Sequence, residues 1–272
     1  MGGVLAFTLP RRLILVLLLL LPLYAHAWER DVDLTNGNRQ FKGAMLYGWN
    51  QKLIGDVDIQ GLKADLTGDA AIGDRVGTGF SFFLPINRRT TLLGSYDSFD
   101  HSGILTRDVT FQRKLYKPGA RVRFQNSWVD LTGARRVKQF EGGHGDVLYG
   151  MKLCRSELDL RGYAPVINSF QKASWNTMFP IPYLGLGGGA RVTSHMLVLA
   201  HLKASVLPST GGTLFTSFDF DLNGSWRMNR PTSKDEWFLT LGFRRFSASG
   251  DLGDEHIDIG YGGPLWGLMV RF

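Results

Sequence analysis

From residue 44 onward the chain alternates between apolar and polar positions. Apolar side chains take every second position over stretches of about ten residues. Short runs rich in Gly, Pro, Asn and Asp separate the stretches. The clearest stretch begins at Leu214. Leu214, Thr216, Phe218, Phe220, Leu222, Gly224, Trp226 and Met228 share one parity, while Phe215, Ser217, Asp219, Asp221, Asn223, Ser225 and Arg227 share the other. A strand turns successive side chains to opposite faces, so this is a strand with one apolar and one polar face. Ten such segments are readable, at 44–60, 76–84, 90–99, 124–137, 146–158, 183–192, 196–205, 214–228, 237–246 and 257–272. Alternation breaks within 124–137, as a β-bulge would break it, and leaves the phase of that strand open.

Residues 106–115 carry Arg107, Asp108, Arg113 and Lys114, which suit water better than lipid. With 119–123 they read as a projecting hairpin; if both spanned, the strand count would be twelve. So many strands with an apolar face point to an all-β chain. The expected architecture is a transmembrane antiparallel up-and-down β-barrel of ten strands. In hydrocarbon no water satisfies free N–H and C=O groups, and only a closed barrel pairs them all. An even count puts both chain ends on one side. The turns on that side are 85–89, 138–145, 193–195 and 229–236, and the mostly longer loops opposite are 61–74, 100–123, 159–182, 206–212 and 249–256.

The first residues carry a different pattern. Arg11-Arg12, an apolar run from Leu13 to Leu21 and Ala25-His26-Ala27 read as a secretory leader. The run is shorter than the roughly 20 residues of a membrane-spanning helix. The expected plan is a leader at 1–27 and a barrel at 28–272. Composition agrees, with 34 Gly, 18 Phe, 8 Tyr and 7 Trp, as short aromatic-rich strands require. The formal charge of +7 is interspersed, and with export expected it argues against nucleic acid as a partner. Cys154 is the single cysteine, which excludes a disulfide framework and a thiolate metal cluster.

The final strand reads Trp266-Gly267-Leu268-Met269-Val270-Arg271-Phe272. Trp266, Leu268, Val270 and Phe272 share one large apolar face. This resembles the closing strand of Gram-negative outer-membrane β-barrels. The resemblance implies integral insertion in the bacterial outer membrane, contact with its lipid and lipopolysaccharide, and recognition of the terminal strand by the barrel assembly machinery. It implies no activity.

With apolar faces toward lipid, the lumen carries both signs of charge: Lys52, Asp56, Asp58, Asp97, Lys152, Arg191, His201, Lys203, Asp219, Asp221, Arg227, Arg244 and Arg271. Tyr47, Trp49, Trp226 and Trp237, near strand ends, are expected in the interfacial aromatic girdles. Inward glycines at 77, 79, 150, 185, 187 and 189 leave room for a paired ionic network or a narrow pore. Buried charges must be paired, which favours the network.

Catalytic sets are thin. The one rim cluster is Asp97, Asp100, His101 and Ser102. The ten-stranded omptin proteases use acidic pairs and a His at the rim, and no second half of such a set is found here. His101 and Ser102 are adjacent and point opposite ways in a strand, against a Ser/His dyad of the lipid A deacylase kind. Gly142-Gly143-His144-Gly145-Asp146 offers too few metal ligands, and Asp251, Asp254 and Glu255 read as a solvated loop. No metal or other cofactor is expected. Three functions stay open: a non-enzymatic envelope-structural or partner-binding barrel, a narrow porin for small solutes, and a rim hydrolase acting on lipid or peptide. Loops 104–123 and 160–180 are the expected places for a protein partner.

Overall fold

A computed structural model describes residues 42–164, 169–208, 214–229, 235–252 and 255–272. The expected leader at 1–27 lies outside them. Among the described residues there are thirteen strands: β1 (Gly43–Ile59), β2 (Leu62–Asp65), β3 (Arg75–Asn87), β4 (Thr90–Ile104), β5 (Val109–Phe111), β6 (Lys114–Tyr116), β7 (Arg121–Phe140), β8 (Gly143–Ala164), β9 (Ser169–Thr193), β10 (Met196–Pro208), β11 (Leu214–Arg227), β12 (Glu236–Leu252) and β13 (Glu255–Arg271). Ten of them form the wall of an antiparallel up-and-down barrel, in the order β1, β3, β4 and then β7 to β13. The last returns to the first, from Gly43↔Arg271 to Asp58↔His256, and closes the ring. The expected ten strands are the observed ten. The expected hairpin of 106–115 with 119–123 is not formed. β5 pairs with β6 within 109–116, and its Val109, Phe111 and Tyr116 are buried in the core because they are apolar. Residues 121–123 belong to wall strand β7, and β2 pairs with the end of β1.

One end of the barrel carries the short turns together with Lys42 and Phe272, and is called the turn end. The other carries β2 and the β5–β6 hairpin, and is called the cap end. The bulge expected in the fourth wall strand is a register shift between Arg136 and Lys138.

Two regimes of polarity divide the barrel. Toward the turn end, apolar side chains face outward: Leu46, Tyr149, Met151, Leu184, Leu186, Leu239, Leu241, Trp266 and Leu268 are exposed. Toward the cap end the pattern inverts. Trp49, Leu53, Val57 and Ile59 of β1 turn inward with Phe124, Leu158, Leu160, Trp175 and Ile181, forming one apolar core with Leu62, Leu66, Phe111 and Tyr116 of the cap. Asp159, Arg161 and Lys172 stay outside as ion partners. A wall in water must bury apolar groups inside, whereas a wall in lipid exposes them.

This inversion corrects several expectations. Lys52, Asp56 and Asp58 face out and not into the lumen, with Asp58 meeting Lys63 at 2.9 Å. Tyr47 and Trp49 are buried inside and take no part in an outer girdle, whereas Trp226 and Trp237 are exposed. Residues 160–180, expected as a loop, are largely strand: β8 and β9 pair continuously from Gly143↔Ala190 to Ala164↔Ser169. The 22 residues of β8 span about 70 Å at roughly 3.3 Å each.

The inward glycines do not leave the lumen empty. Gly79 lies opposite Tyr47, whose ring occupies the space of a Cβ there. Gly150 lies opposite Tyr183, whose hydroxyl would sit 2.6 Å from such a Cβ. Gly79 and Gly150 thus admit a tyrosine from the neighbouring strand, whereas Gly189 lines the cavity at the turn end.

Candidate functional site

The interior has three layers. The cap-end layer is the apolar core, floored by a cluster of aromatic rings. Trp128 lies 4.5 Å from Phe99, 4.9 Å from Phe246 and 6.0 Å from Tyr261, centroid to centroid, with Trp49 at 6.2 Å. These rings come from β1, β4, β7, β12 and β13 and meet across the lumen.

Beneath them runs a chain of alternating charges. Arg244 Nη1 donates to Asp97 Oδ2 at 3.0 Å, and Arg244 Nη2 to Asp219 Oδ2 at 3.4 Å. Lys152 Nζ donates to the same Asp219 oxygen at 2.5 Å and lies 3.8 Å from Asp130 Oδ2. Lys203 Nζ donates to Asp130 at 2.8 Å and to Thr132 at 3.1 Å. The order is Asp97, Arg244, Asp219, Lys152, Asp130, Lys203: three carboxylates, three cations, no net charge. Aromatic groups complete it. Tyr47 Oη and Trp128 Nε1 each donate to Asp97 at 2.7 Å, Tyr183 Oη donates to Asp130, and the Lys152 ammonium lies 4.6 Å from the Trp128 ring centroid. Beside the chain, His201 Nδ1 and Asp221 are 3.1 Å apart, and Asn223 donates to Asp221 at 2.9 Å.

The third layer is a chamber of about 1200 Å³ at the turn end. Asp130, Thr132, His201, Lys203, Asp221 and Arg244 form its inner wall, and Arg191 and Arg271 lie nearer the turns. There Glu236 pairs with Arg227, approaches Arg271 at 3.4 Å and Arg191 at 3.8 Å.

Of the thirteen expected lumen residues, Asp97, Lys152, Arg191, His201, Lys203, Asp219, Asp221, Arg227, Arg244 and Arg271 are thus inside, in two groups. Asp130, Thr132, Tyr183 and Glu236 were missed. Asp130 is directly opposite Lys152, so fixing the phase of the bulged strand would have found it. Trp266, Leu268 and Phe272 are exposed on the outer face, with Val270 partly covered.

The rim cluster does not assemble. Asp97 is in the ion chain, Asp100 meets Arg123 on the outside at 2.9 Å, and Ser102 accepts from Arg75 at 3.0 Å. His101 is buried, with Nδ1 3.2 Å from the Gly73 carbonyl and Nε2 3.3 Å from Gln51. Asp251 meets His256 at 2.7 Å, and Glu255 accepts from Trp175 Nε1 at 2.9 Å; Asp254 lies outside the described residues.

The two parts of the cap, β2 with the loop after it and the β5–β6 segment, are fastened to each other and to the end of β1 by polar contacts. Arg107 Nη2 donates to Asp69 at 2.7 Å and to the Lys63 carbonyl at 2.9 Å, and Gln112 donates to Gln60 at 2.8 Å. The hydrogen bond from Arg107 holds the Asp69 carboxyl below the usual carboxylate range. A depressed folded-state pKa adds stability that is complete above the unfolded value, about 3.9 for Asp, and lost as pH falls through the folded value. Acidification from pH 7 to below about 4 should therefore lower hydrogen-exchange protection at residues 105–111 before the barrel strands respond. Equal protection factors in that segment at both pH values would contradict the clasp.

No protein-family model matches the chain, and no curated protein matches it significantly. Solved structures with a similar arrangement include the outer membrane protease OmpT from Escherichia coli, at 9% identity and TM-score 0.49, covering 87% of this chain and 100% of that one. Ail, the attachment invasion locus protein of Yersinia pestis, in complex with the heparin analogue sucrose octasulfate, aligns at 12% identity and TM-score 0.38, covering 86% and 100%. The transport unit of the autotransporter AIDA-I from Escherichia coli aligns at 10% identity and TM-score 0.39, covering 92% and 95%. At these identities no residue role carries across.

Proposed function

We propose that this protein is an integral outer-membrane β-barrel that does not conduct, and whose role is envelope-structural or partner-binding. The observation that carries the reading is the aromatic layer. Trp49, Phe99, Trp128, Phe246 and Tyr261 close the lumen between the cap and the ion chain. The band of exposed Leu, Met and Trp near the turn end supports insertion in lipid, since soluble monomers rarely expose large contiguous apolar patches. The turn end then faces the periplasm and the cap stands outside, above lipopolysaccharide. The leader at 1–27 serves export, and the outward face of Trp266, Leu268, Val270 and Phe272 serves recognition by the barrel assembly machinery. The cap and the β8–β9 hairpin are the surface for an external protein partner. In that hairpin Phe170 is 82% exposed, with Tyr163 against it. The scattered rim cluster removes the motive for a hydrolase.

Planar-bilayer recording of the refolded mature protein tests the reading. The expected trace is silent at potentials where porins conduct. Discrete, reproducible conductance steps would defeat it and restore the pore.

A further inference from the structure

Four separate parts of the wall bring basic side chains to the turn end. Arg88 and Arg89 come from the β3–β4 turn, Arg136 and Lys138 from the end of β7, Arg191 from the end of β9, and Arg271 from the end of β13. All six line the chamber. Its described lining holds eight Lys or Arg and three Asp. Two of the eight, Lys203 and Arg244, belong to the ion chain, which is neutral within itself. Near the remaining six, Asp146 lies 3.9 Å from Arg136, Glu236 is shared by Arg191, Arg271 and Arg227, and Glu141 and Asp235 lie exposed in the turns at the same end. These four carboxylates are outnumbered by the six basic groups and Arg227. The mouth of the chamber is thus positively charged.

Such a ring in a low-dielectric wall focuses its field on the opening and concentrates anions there. Guanidinium groups match the oxygens of phosphates and carboxylates in planar, paired geometry. Between the ring and the ion chain the wall is apolar in part, through Leu197, Leu199 and Met269. At about 1200 Å³ the chamber has room for a drug-sized molecule with some water. We infer that the chamber is a binding site for a small organic anion, which enters from the turn end. The ring holds its phosphate or carboxylate, and its apolar body lies against Leu197, Leu199 and Met269.

The inference goes beyond a sealed barrel, and the two fail separately, because conductance tests the seal and titration tests the chamber. The probes are phenyl phosphate and benzoate, with phenol as the uncharged comparison. Each is titrated calorimetrically into the full mature chain, refolded in phosphate-free maltoside micelles. Saturable binding of at least one anion is expected. It should weaken at least tenfold in Arg191→Gln and weaken as salt is raised, with phenol giving no saturable heat. Which anion binds more tightly assigns the head group as phosphate or carboxylate. Arg88→Gln, in an exposed turn, serves as a second variant that leaves the wall intact, with a smaller loss expected. Heat-modifiable mobility on gels verifies folding of each variant. No saturable binding of either anion, equal binding of phenol, or unchanged affinity in both folded variants would overturn the site.

Discussion

Replacing Lys152 with Met should destabilise the barrel by about 3–5 kcal/mol, the range found when one partner of a buried ion pair is removed. Lys152 is 1% exposed and stands between Asp219 and Asp130. Without it Asp219 keeps Arg244 and Asp130 keeps Lys203, but the chain holds three carboxylates and two cations. Methionine fills most of the volume, so the loss reports charge more than packing. The double variant Lys152→Met/Asp219→Leu restores neutrality as two separate pairs, Asp97 with Arg244 and Asp130 with Lys203, and should recover part of the loss. Urea unfolding in lipid vesicles, followed by Trp fluorescence, measures both. A loss under about 1 kcal/mol in the single variant would mean that the chamber's water screens the chain as it screens a surface pair.

The second large effect is expected at Trp128. Trp128→Ala removes an indole that is 1% exposed and touches rings from four other strands. Large-to-small core changes of this kind cost about 3–5 kcal/mol. Asp97 also loses the indole N–H but keeps Tyr47 and Arg244. The variant should stay silent in planar bilayers despite that loss. Above the rings the core continues through Leu53, Phe124, Leu158, Phe111 and Tyr116 to the cap, so the seal has depth. Channel openings in Trp128→Ala would instead show the rings to be the whole barrier.

The wall strands were legible in the sequence where their outer face is apolar. There apolar residues lie outside and polar ones inside, as at 146–158, 183–192 and 214–228, and parity alone identifies the face. Legibility ended where the wall turns its apolar face inward. Val57 and Ile59 are apolar because they face an apolar core, while Asp56 and Asp58 face water, so the rule valid for β11 assigns the wrong face to β1. The same inversion disguised 160–180 as a loop, because its outer face is polar. The members of the ion chain were legible by parity, except Asp130 in the bulged strand. Their pairing was not legible, since each partner is on a different strand. Nor was the basic ring, whose members are scattered from residue 88 to residue 271 and share only the end at which their hairpins turn.

The ion chain also constrains the order of assembly. Its six members come from β4, β12, β11, β8, β7 and β10, and the Asp97–Arg244 contact spans 147 positions. Until the late strands are in place, Asp97 lacks Arg244 and Asp219 lacks one of its two cations. A half-built sheet laid in lipid would present these unmatched charges to hydrocarbon. In the proposed membrane setting, strands β4 to β12 would have to curl around a shared polar interior before or while they enter the bilayer, which couples insertion to ring closure.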